Sequence, residues 1–324
     1  MKQKIILLCL IIIISIFTVT GFDETDAYIN EEIIENAEIF DEEDEDRDVS
    51  RKDYEEETRK LEELVERALY LRWRTSGIDL EKQISADSFL VIKLSDDEHF
   101  VYLRKNDDRR YPLASITKLM SSVIAAENID AESTIVLTEP MLRSYGHSPS
   151  LFPGARVRAH DLMMAALTQS TNDATECLTY FMSEGTFLGL MNIKAHEIGM
   201  ENSFFFDSHG LSPKNQATAG DVVKLLEYVY KVHPKILEMT RVEDFRLPNP
   251  YGTLLTFRNF NMFHDIPDFI GGKTGYLPEA KQTYTSLFNV GDETFAVVIL
   301  MSESRKDDLQ TIFEWLNKNP RLRN

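Results

Sequence analysis

Ser115 and Lys118 stand three residues apart in Ser115-Ile116-Thr117-Lys118. On a helix, positions i and i+3 share a face, so a hydroxyl and an amine so spaced can meet. Serine is a poor nucleophile until a neighbouring base takes its proton. Lysine can be that base only if its pKa falls, and both burial and a second nearby cation lower it. Taken alone the spacing means little, because Ser-x-x-Lys is far more often a helix N-cap followed by a solvated lysine.

Two further groups carry similar functionality. Ser170-Thr171-Asn172 follows the apolar run from Leu162 to Leu167. A loop presenting a hydroxyl and an amide can relay a proton and bind a substrate amide; read alone, it is a helix N-cap. Gly271-Gly272-Lys273-Thr274-Gly275 lies on an expected strand. Glycines there let another backbone approach closely. Lys273 and Thr274 could hold a carboxylate at a sheet edge, with substrate added as an extra strand. The plainer alternative is an edge strand protected by its lysine. A phosphate-binding loop is excluded, because Pro267 stands where Gly-x-x-x-x-Gly-Lys-Ser/Thr demands glycine.

Order and spacing say more than any single group. Ser170 lies 55 residues after Ser115, and Lys273 lies 103 after Ser170. Ser-x-x-Lys, a Ser-x-Asn element and Lys-Thr-Gly mark penicillin-binding proteins and class A β-lactamases. From about Ser85 to Pro320 the chain resembles the serine-type D-alanyl-D-alanine carboxypeptidases, the low-molecular-mass penicillin-binding proteins. The segment Arg110 to Met120 is similar to that family's nucleophile segment. Phe152-Pro153-Gly154, Asp161-Leu162 and Gln169 to Ala174 resemble its second motif and the approach to it. His209-Gly210-Leu211 and Ala217 to Asp221 resemble a segment of structural character, and Gly272 to Tyr276 its third motif.

The resemblance implies roles. Ser115 would attack the carbonyl between two D-alanines, and Lys118 would accept its proton. Ser170 would relay a proton towards the leaving amine, while Asn172 would hold the substrate amide and contact Lys118. Lys273 and Thr274 would bind the terminal carboxylate, with Gly275 and Tyr276 completing the substrate-binding strand. Backbone N–H groups of Ser115 and Tyr276 would form the oxyanion hole, usually the largest electrostatic contribution in acyl transfer. Water would release the acyl-enzyme, without cofactor or metal. Repulsion between the two lysines is expected to keep Lys118 neutral. Implied partners are peptidoglycan stem peptides and, as covalent inhibitors, β-lactams.

Some residues depart from the family pattern. Leu277 and Ala280-Lys281 replace the threonine and the Ala-Gly pair common after the third motif. A DD-endopeptidase would use the same residues. A β-lactamase is disfavoured because no Glu-x-x-x-Asn motif lies between Ser170 and Lys273. A catalytically silent wall-binding protein of the same fold is the alternative from another class. The seven histidines show no metal-ligand spacing.

The elements that must position these residues are legible from periodicity. Strand-like runs at Ser88–Leu94 and His99–Arg104 flank a turn at Ser95 to Glu98. A helix is expected from Ser115 to Asn128, and residues 130–240 read as mostly helical, broken at Ser148-Pro149, Pro153-Gly154 and Ser208–Pro213. After Pro267, strands are expected at Gly271–Tyr276, Thr283–Val290 and Thr294–Met301. An amphipathic helix follows at Asp307–Asn317, with Leu309, Ile312, Phe313 and Leu316 on one face. This order predicts an α/β (α+β) fold: one antiparallel sheet built from both chain ends, flanked by helices, with a mostly helical inserted subdomain. The resemblance makes that fold β-lactamase/transpeptidase-like, with the catalytic domain over residues 76–324.

The N-terminal quarter is of another kind. Lys2 and Lys4 precede an apolar run from Ile5 to Gly21, which reads as a signal peptide or as a membrane anchor. Either places the remainder outside the cytoplasm: in the periplasm, at the outer membrane face or in the cell wall. Residues 22–52 form an acidic spacer; between Phe22 and Ser50, 14 acidic residues face one arginine. Such a stretch buries too little apolar area to offset chain entropy and is expected to stay disordered. A helical linker is expected over 53–75, where Leu61, Leu64, Ala68 and Leu71 recur at helical steps. The chain carries −19 overall; with −13 in the acidic stretch and +2 ahead of it, residues 51–324 carry −8. That balance argues against nucleic-acid binding. Past the leader only Cys177 remains, so no intrachain disulfide is available and packing must hold the domain.

Overall fold

The computed structural model describes residues 80–95, 99–144, 151–248, 251–266 and 268–317, all within the compact unit Leu80–Asn324. The expected signal or anchor, acidic spacer and linker helix lie outside the described residues, as do the turn at 96–98 and the loop at Ser148-Pro149.

Helix α1 (Leu80–Gln83) precedes strands β1 (Ser88–Lys93) and β2 (Phe100–Lys105). Strand β3 (Tyr111–Pro112) leads into a single 3₁₀ turn, Ala114–Ile116, and then α2 (Thr117–Asn128). A ribbon of β4 (Thr134–Val136) and β5 (Arg156–Arg158) introduces helices α3 (Ala159–Thr168), α4 (Asn172–Thr179) and α5 (Glu184–Glu197). Strand β6 (Gln216–Ala217) pairs back on β3 before α6 (Ala219–Val232) and α7 (Pro234–Arg241). A hairpin follows, β7 (Asp244–Pro248) with β8 (Leu254–Arg258). The chain ends in β9 (Phe269–Leu277), β10 (Lys281–Val290), β11 (Glu293–Ser302) and α8 (Arg305–Asn317).

The main sheet is antiparallel, in the order β2-β1-β11-β10-β9. Its first and last strands in sequence pair at its centre, with Ser88 opposite Leu300. The expected architecture is therefore the one found: both chain ends build the sheet, and a helical block is inserted between them. Strand β11 explains why the sheet holds. Phe295 to Leu300 is a continuous apolar run, all fully buried, as a strand covered on both faces must be. Alternation sends Ala296, Val298 and Leu300 into the core shared with α2, α3 and α6. Phe295 points the other way, its ring 5.3 Å from Tyr102, which in turn lies 6.4 Å from Trp315 of α8. Leu309, Ile312 and Leu316 of α8 are fully buried, and Phe313 meets Phe288 at 4.4 Å.

Helix α6 begins where Thr218 caps it, its hydroxyl accepting the Asp221 N–H at 3.0 Å. Val222, Leu225, Leu226 and Val229 then recur on its buried face. The β7–β8 hairpin was not expected from the sequence. Only Leu247 and Phe257 of its two strands are buried, and it stands as a separate ribbon, so its apolar signal is weak. Among the described residues no helix is long and apolar enough to cross a membrane.

Lys281 occupies a left-handed backbone conformation (φ +48°), the geometry for which the glycine common in the family is suited. Its amine pairs with Glu303 at 2.7 Å on the exposed rim. The substitution therefore keeps the turn and adds a surface ion pair.

Candidate active site

Ser115 sits in the middle of the 3₁₀ turn, and the N-cap reading of this residue does not apply: neither end of that turn is capped by a side chain. The turn is pinned on two sides. Leu113 N–H donates to Asn215 O at 2.9 Å, and Thr283 Oγ1 donates to Leu113 O at 3.0 Å. Ala114, directly before the serine, is held at φ +48°. A residue with a Cβ adopts that conformation only where its surroundings enforce it, and such strain clusters at functional sites.

Lys118 follows on the first turn of α2 and is completely buried. Its Nζ lies 3.0 Å from Ser115 Oγ, 2.7 Å from Asn172 Oδ1 and 2.5 Å from His209 O. Burial pushes its pKa from the usual 10.5 down to about 7, against a smaller upward pull from the Asp207 carboxylate. Burial is thus the leading cause of the low Lys118 pKa. Lys273 too is held well below its ordinary value, by burial first, then by the neighbouring Lys118 and Arg305 charges.

Lys273 is not a solvated edge guard. It is only 2% exposed, and its amine donates to Ser170 Oγ at 2.9 Å and to Thr274 O at 2.8 Å. Ser170 too is left-handed (φ +58°), which turns its hydroxyl to the lysine instead of capping α4. Asn172 opens α4, and its Oδ1 accepts from the Lys118 amine. The Ser-Thr-Asn loop therefore bridges both lysines. Strand β9, at the edge of the sheet, brings Gly275 against the Ser115 turn. A Cβ on Gly275 would stand 2.9 Å from Ser115 N and 2.4 Å from Thr283 Oγ1, so only glycine allows this approach. Beside it Thr274 is buried and Tyr276 is exposed.

The sequence reading missed a supporting layer. Asp207 accepts N–H bonds from His209, Gly210 and Ser212, at 3.1, 2.5 and 2.6 Å, folding the loop so that His209 O meets Lys118. These bonds and the His209 ring hold the Asp207 carboxyl below its usual range, against the upward push of burial. Buried Asn215 ties the loop to α2, donating to Thr117 Oγ1 at 3.1 Å. Arg305, at the start of α8, donates to Gly275 O at 2.7 Å and braces β9. An aspartate two and three residues before the N–H groups it accepts is a turn signal readable in sequence. Nothing local marks Arg305, which arrives through the fold.

A model of the D-alanyl-D-alanine carboxypeptidase family matches residues 76–304. The chain belongs to that family. Its members are serine DD-peptidases, and both kinds of activity occur in the names of this D-alanyl-D-alanine carboxypeptidase-family chain's relatives. The chain is 28% identical over 220 residues to the D-alanyl-D-alanine endopeptidase of Pseudomonas aeruginosa, covering 65% of this chain and 67% of that protein. It is 23% identical over 240 residues to D-alanyl-D-alanine carboxypeptidase DacB2 of Mycobacterium tuberculosis, covering 71% and 81%. Among solved structures, penicillin-binding protein D2 from Listeria monocytogenes in its cefotaxime-bound form shares the fold. That match has a TM-score of 0.61 and 23% identity, and covers 72% of this chain and 96% of that one.

Proposed function

We propose that this chain is a serine D-Ala-D-Ala carboxypeptidase that trims the terminal D-alanine from peptidoglycan stem peptides. One observation carries the reading: a buried, low-pKa Lys118 amine lies 3.0 Å from Ser115 Oγ, beside a second buried lysine at the sheet edge. Neutral Lys118 takes the Ser115 proton as Oγ attacks the carbonyl between the two D-alanines. The N–H groups of Ser115 and Tyr276 receive the developing oxyanion. The substrate lies along β9 as an added strand, its terminal carboxylate near Lys273 and Thr274. That carboxylate supplies a counter-charge that no ion pair gives Lys273 among the described residues. Ser170, bonded to Lys273, passes a proton to the departing amine, and Asn172 holds the substrate amide while orienting Lys118. Water then enters to release the acyl-enzyme, and a β-lactam stalls at that stage. The reading places the domain outside the cytoplasm, where its substrate is, with the N-terminal segment as signal or anchor.

A base with a pKa of about 7 sets a pH dependence whose sign follows directly. Lys118 is neutral above pH 7 and protonated below it, so acylation of Ser115 by a labelled penicillin rises with pH through a midpoint near 7. On the acid side the rate falls about tenfold per pH unit. Stopped-flow acylation between pH 5 and 9 checks this; a flat profile would remove Lys118 from the role of base.

A second reading, DD-endopeptidase, is favoured by the Pseudomonas relative. Release of D-alanine from a pentapeptide, measured beside cleavage of a cross-linked dimer, decides between them. Turnover of the dimer alone would overturn the carboxypeptidase reading.

A further inference from the structure

The run Ser203-Phe204-Phe205-Phe206 places three aromatic rings in succession. Phe204 is bridged to Gln216, with N–H···O bonds of 2.9 and 3.1 Å, so the backbone here is extended. Extended chain sends alternate side chains to opposite sides. Phe205 enters the core, 1% exposed, while Phe204 and Phe206 are each left 48% exposed. Their rings pack on one another at 4.7 Å, tilted by 56°. Two half-wet rings side by side add little to the fold, and an apolar patch with a polar frame marks a binding surface.

The frame here is cationic. Lys214 Nζ stands 5.2 Å from the centre of the Phe206 ring. Arg110, Lys214 and the Gln216 amide close a cleft of about 300 Å³ around the two rings. Among the described residues no carboxylate pairs with Arg110 or Lys214. On a domain of net negative charge, an unneutralised cation pair over aromatic rings selects an anionic ligand with a flat, partly apolar face.

Position narrows the ligand. Arg110 precedes Ser115 by five residues, so at most about 18 Å separates their backbones, at roughly 3.6 Å per residue. Gln216, opposite Pro112 in the β3–β6 pair, belongs to the same ribbon. A pentapeptide stem with its last two residues at Ser115 leaves three residues, about 11 Å of extended chain, and the linked sugar beyond them. A stem whose last two residues occupy Ser115 can therefore place its sugar-bearing end at the cleft.

We propose that this cleft is a second substrate subsite, for the sugar-proximal end of a peptidoglycan stem; this rests on Ser115 acting on such stems. A pyranose ring stacks on Phe204 and Phe206. The free carboxylate of the γ-linked glutamate near the sugar pairs with Arg110 and Lys214 through charge-assisted hydrogen bonds.

The test uses the full chain and two substrates: a disaccharide pentapeptide and an acetylated tripeptide ending in D-Ala-D-Ala. In Lys214→Glu, the ratio of KM for the disaccharide pentapeptide to KM for the tripeptide rises about tenfold, the loss expected for one charge-assisted contact. Phe206→Ala raises the same ratio, and leaves a sugar-free pentapeptide less affected than the disaccharide form. Equal effects on all substrates, or no effect, overturn the subsite. Should the wild-type chain turn over neither substrate, the activity reading fails while the cleft is still read by binding. Calorimetric titration of Ser115→Ala with a disaccharide tetrapeptide then gives a Kd that Lys214→Glu weakens about tenfold. No binding, or an unchanged Kd, overturns the proposal.

Discussion

Lys118→Met is expected to cut acylation of Ser115 by a labelled penicillin about 10³-fold or more, within the range a general base contributes. Methionine matches the length of the lysine stem and fills the same buried slot, but it can neither take a proton nor donate one. Asn172 Oδ1 and His209 O lose their shared partner. Each hydrogen bond so lost at a buried acceptor costs about 1–3 kcal/mol. Against that, the folded state no longer carries a desolvated amine, whose burial is what draws the pKa down to about 7. The opposing contributions leave a folded domain, which thermal melting and circular dichroism verify. Acylation within tenfold of wild type, in a variant that melts cooperatively, would remove Lys118 from the reaction.

Gly210→Ala should lower acylation about 10²-fold or more without touching any reacting group. Gly210 has φ +87°, and a Cβ there would stand 1.9 Å from Ala114 O and 2.5 Å from Ala114 C. Both are backbone atoms, so no side chain can swing away. Either the loop retreats, drawing His209 O from Lys118, or the Ala114 peptide rotates and carries Ser115 with it. A displacement near 1 Å suffices for a 10²-fold loss, roughly, in a positioned reaction. Stability should fall by about 2 kcal/mol or more, from the left-handed backbone and the collision together. Gly189→Ala is the control. It lies within α5 with nothing within 4 Å of a Cβ, and alanine there should be neutral or stabilise by up to about 1 kcal/mol. Similar losses in both variants would mean that the Gly210 contact has no special part.

Much of this was legible because patterned burial and function coincide. The strand from Phe295 to Leu300 is apolar throughout because it is covered on both faces, and α8 shows its helical period because one face meets Phe288 and Tyr102. That Ser115, Lys118, Ser170, Asn172 and Lys273 come together was readable because their order and distance along the chain survive folding. What stayed hidden depends on contacts remote in sequence. Arg305 reaches Gly275 only after β10 and β11 have returned the chain to that end of the sheet. The weight of Asp207, and the leading part of burial in the low Lys118 pKa, follow from how deeply α2 is packed. The β7–β8 hairpin is exposed on most positions and left little periodicity to read.

The pairing of Ser88 with Leu300 joins residues about 210 positions apart at the centre of the sheet. Nothing emerging from a ribosome can complete that pairing until nearly the whole domain has been made. Contacts so distant in sequence slow folding, because the loop between them must close before they form. Ser115 and Lys118 would exist long before Gly275 arrives to complete the site, so the unfinished chain has no assembled nucleophile. In this fold, the order of synthesis withholds assembly of the candidate site until strand β9 has been made.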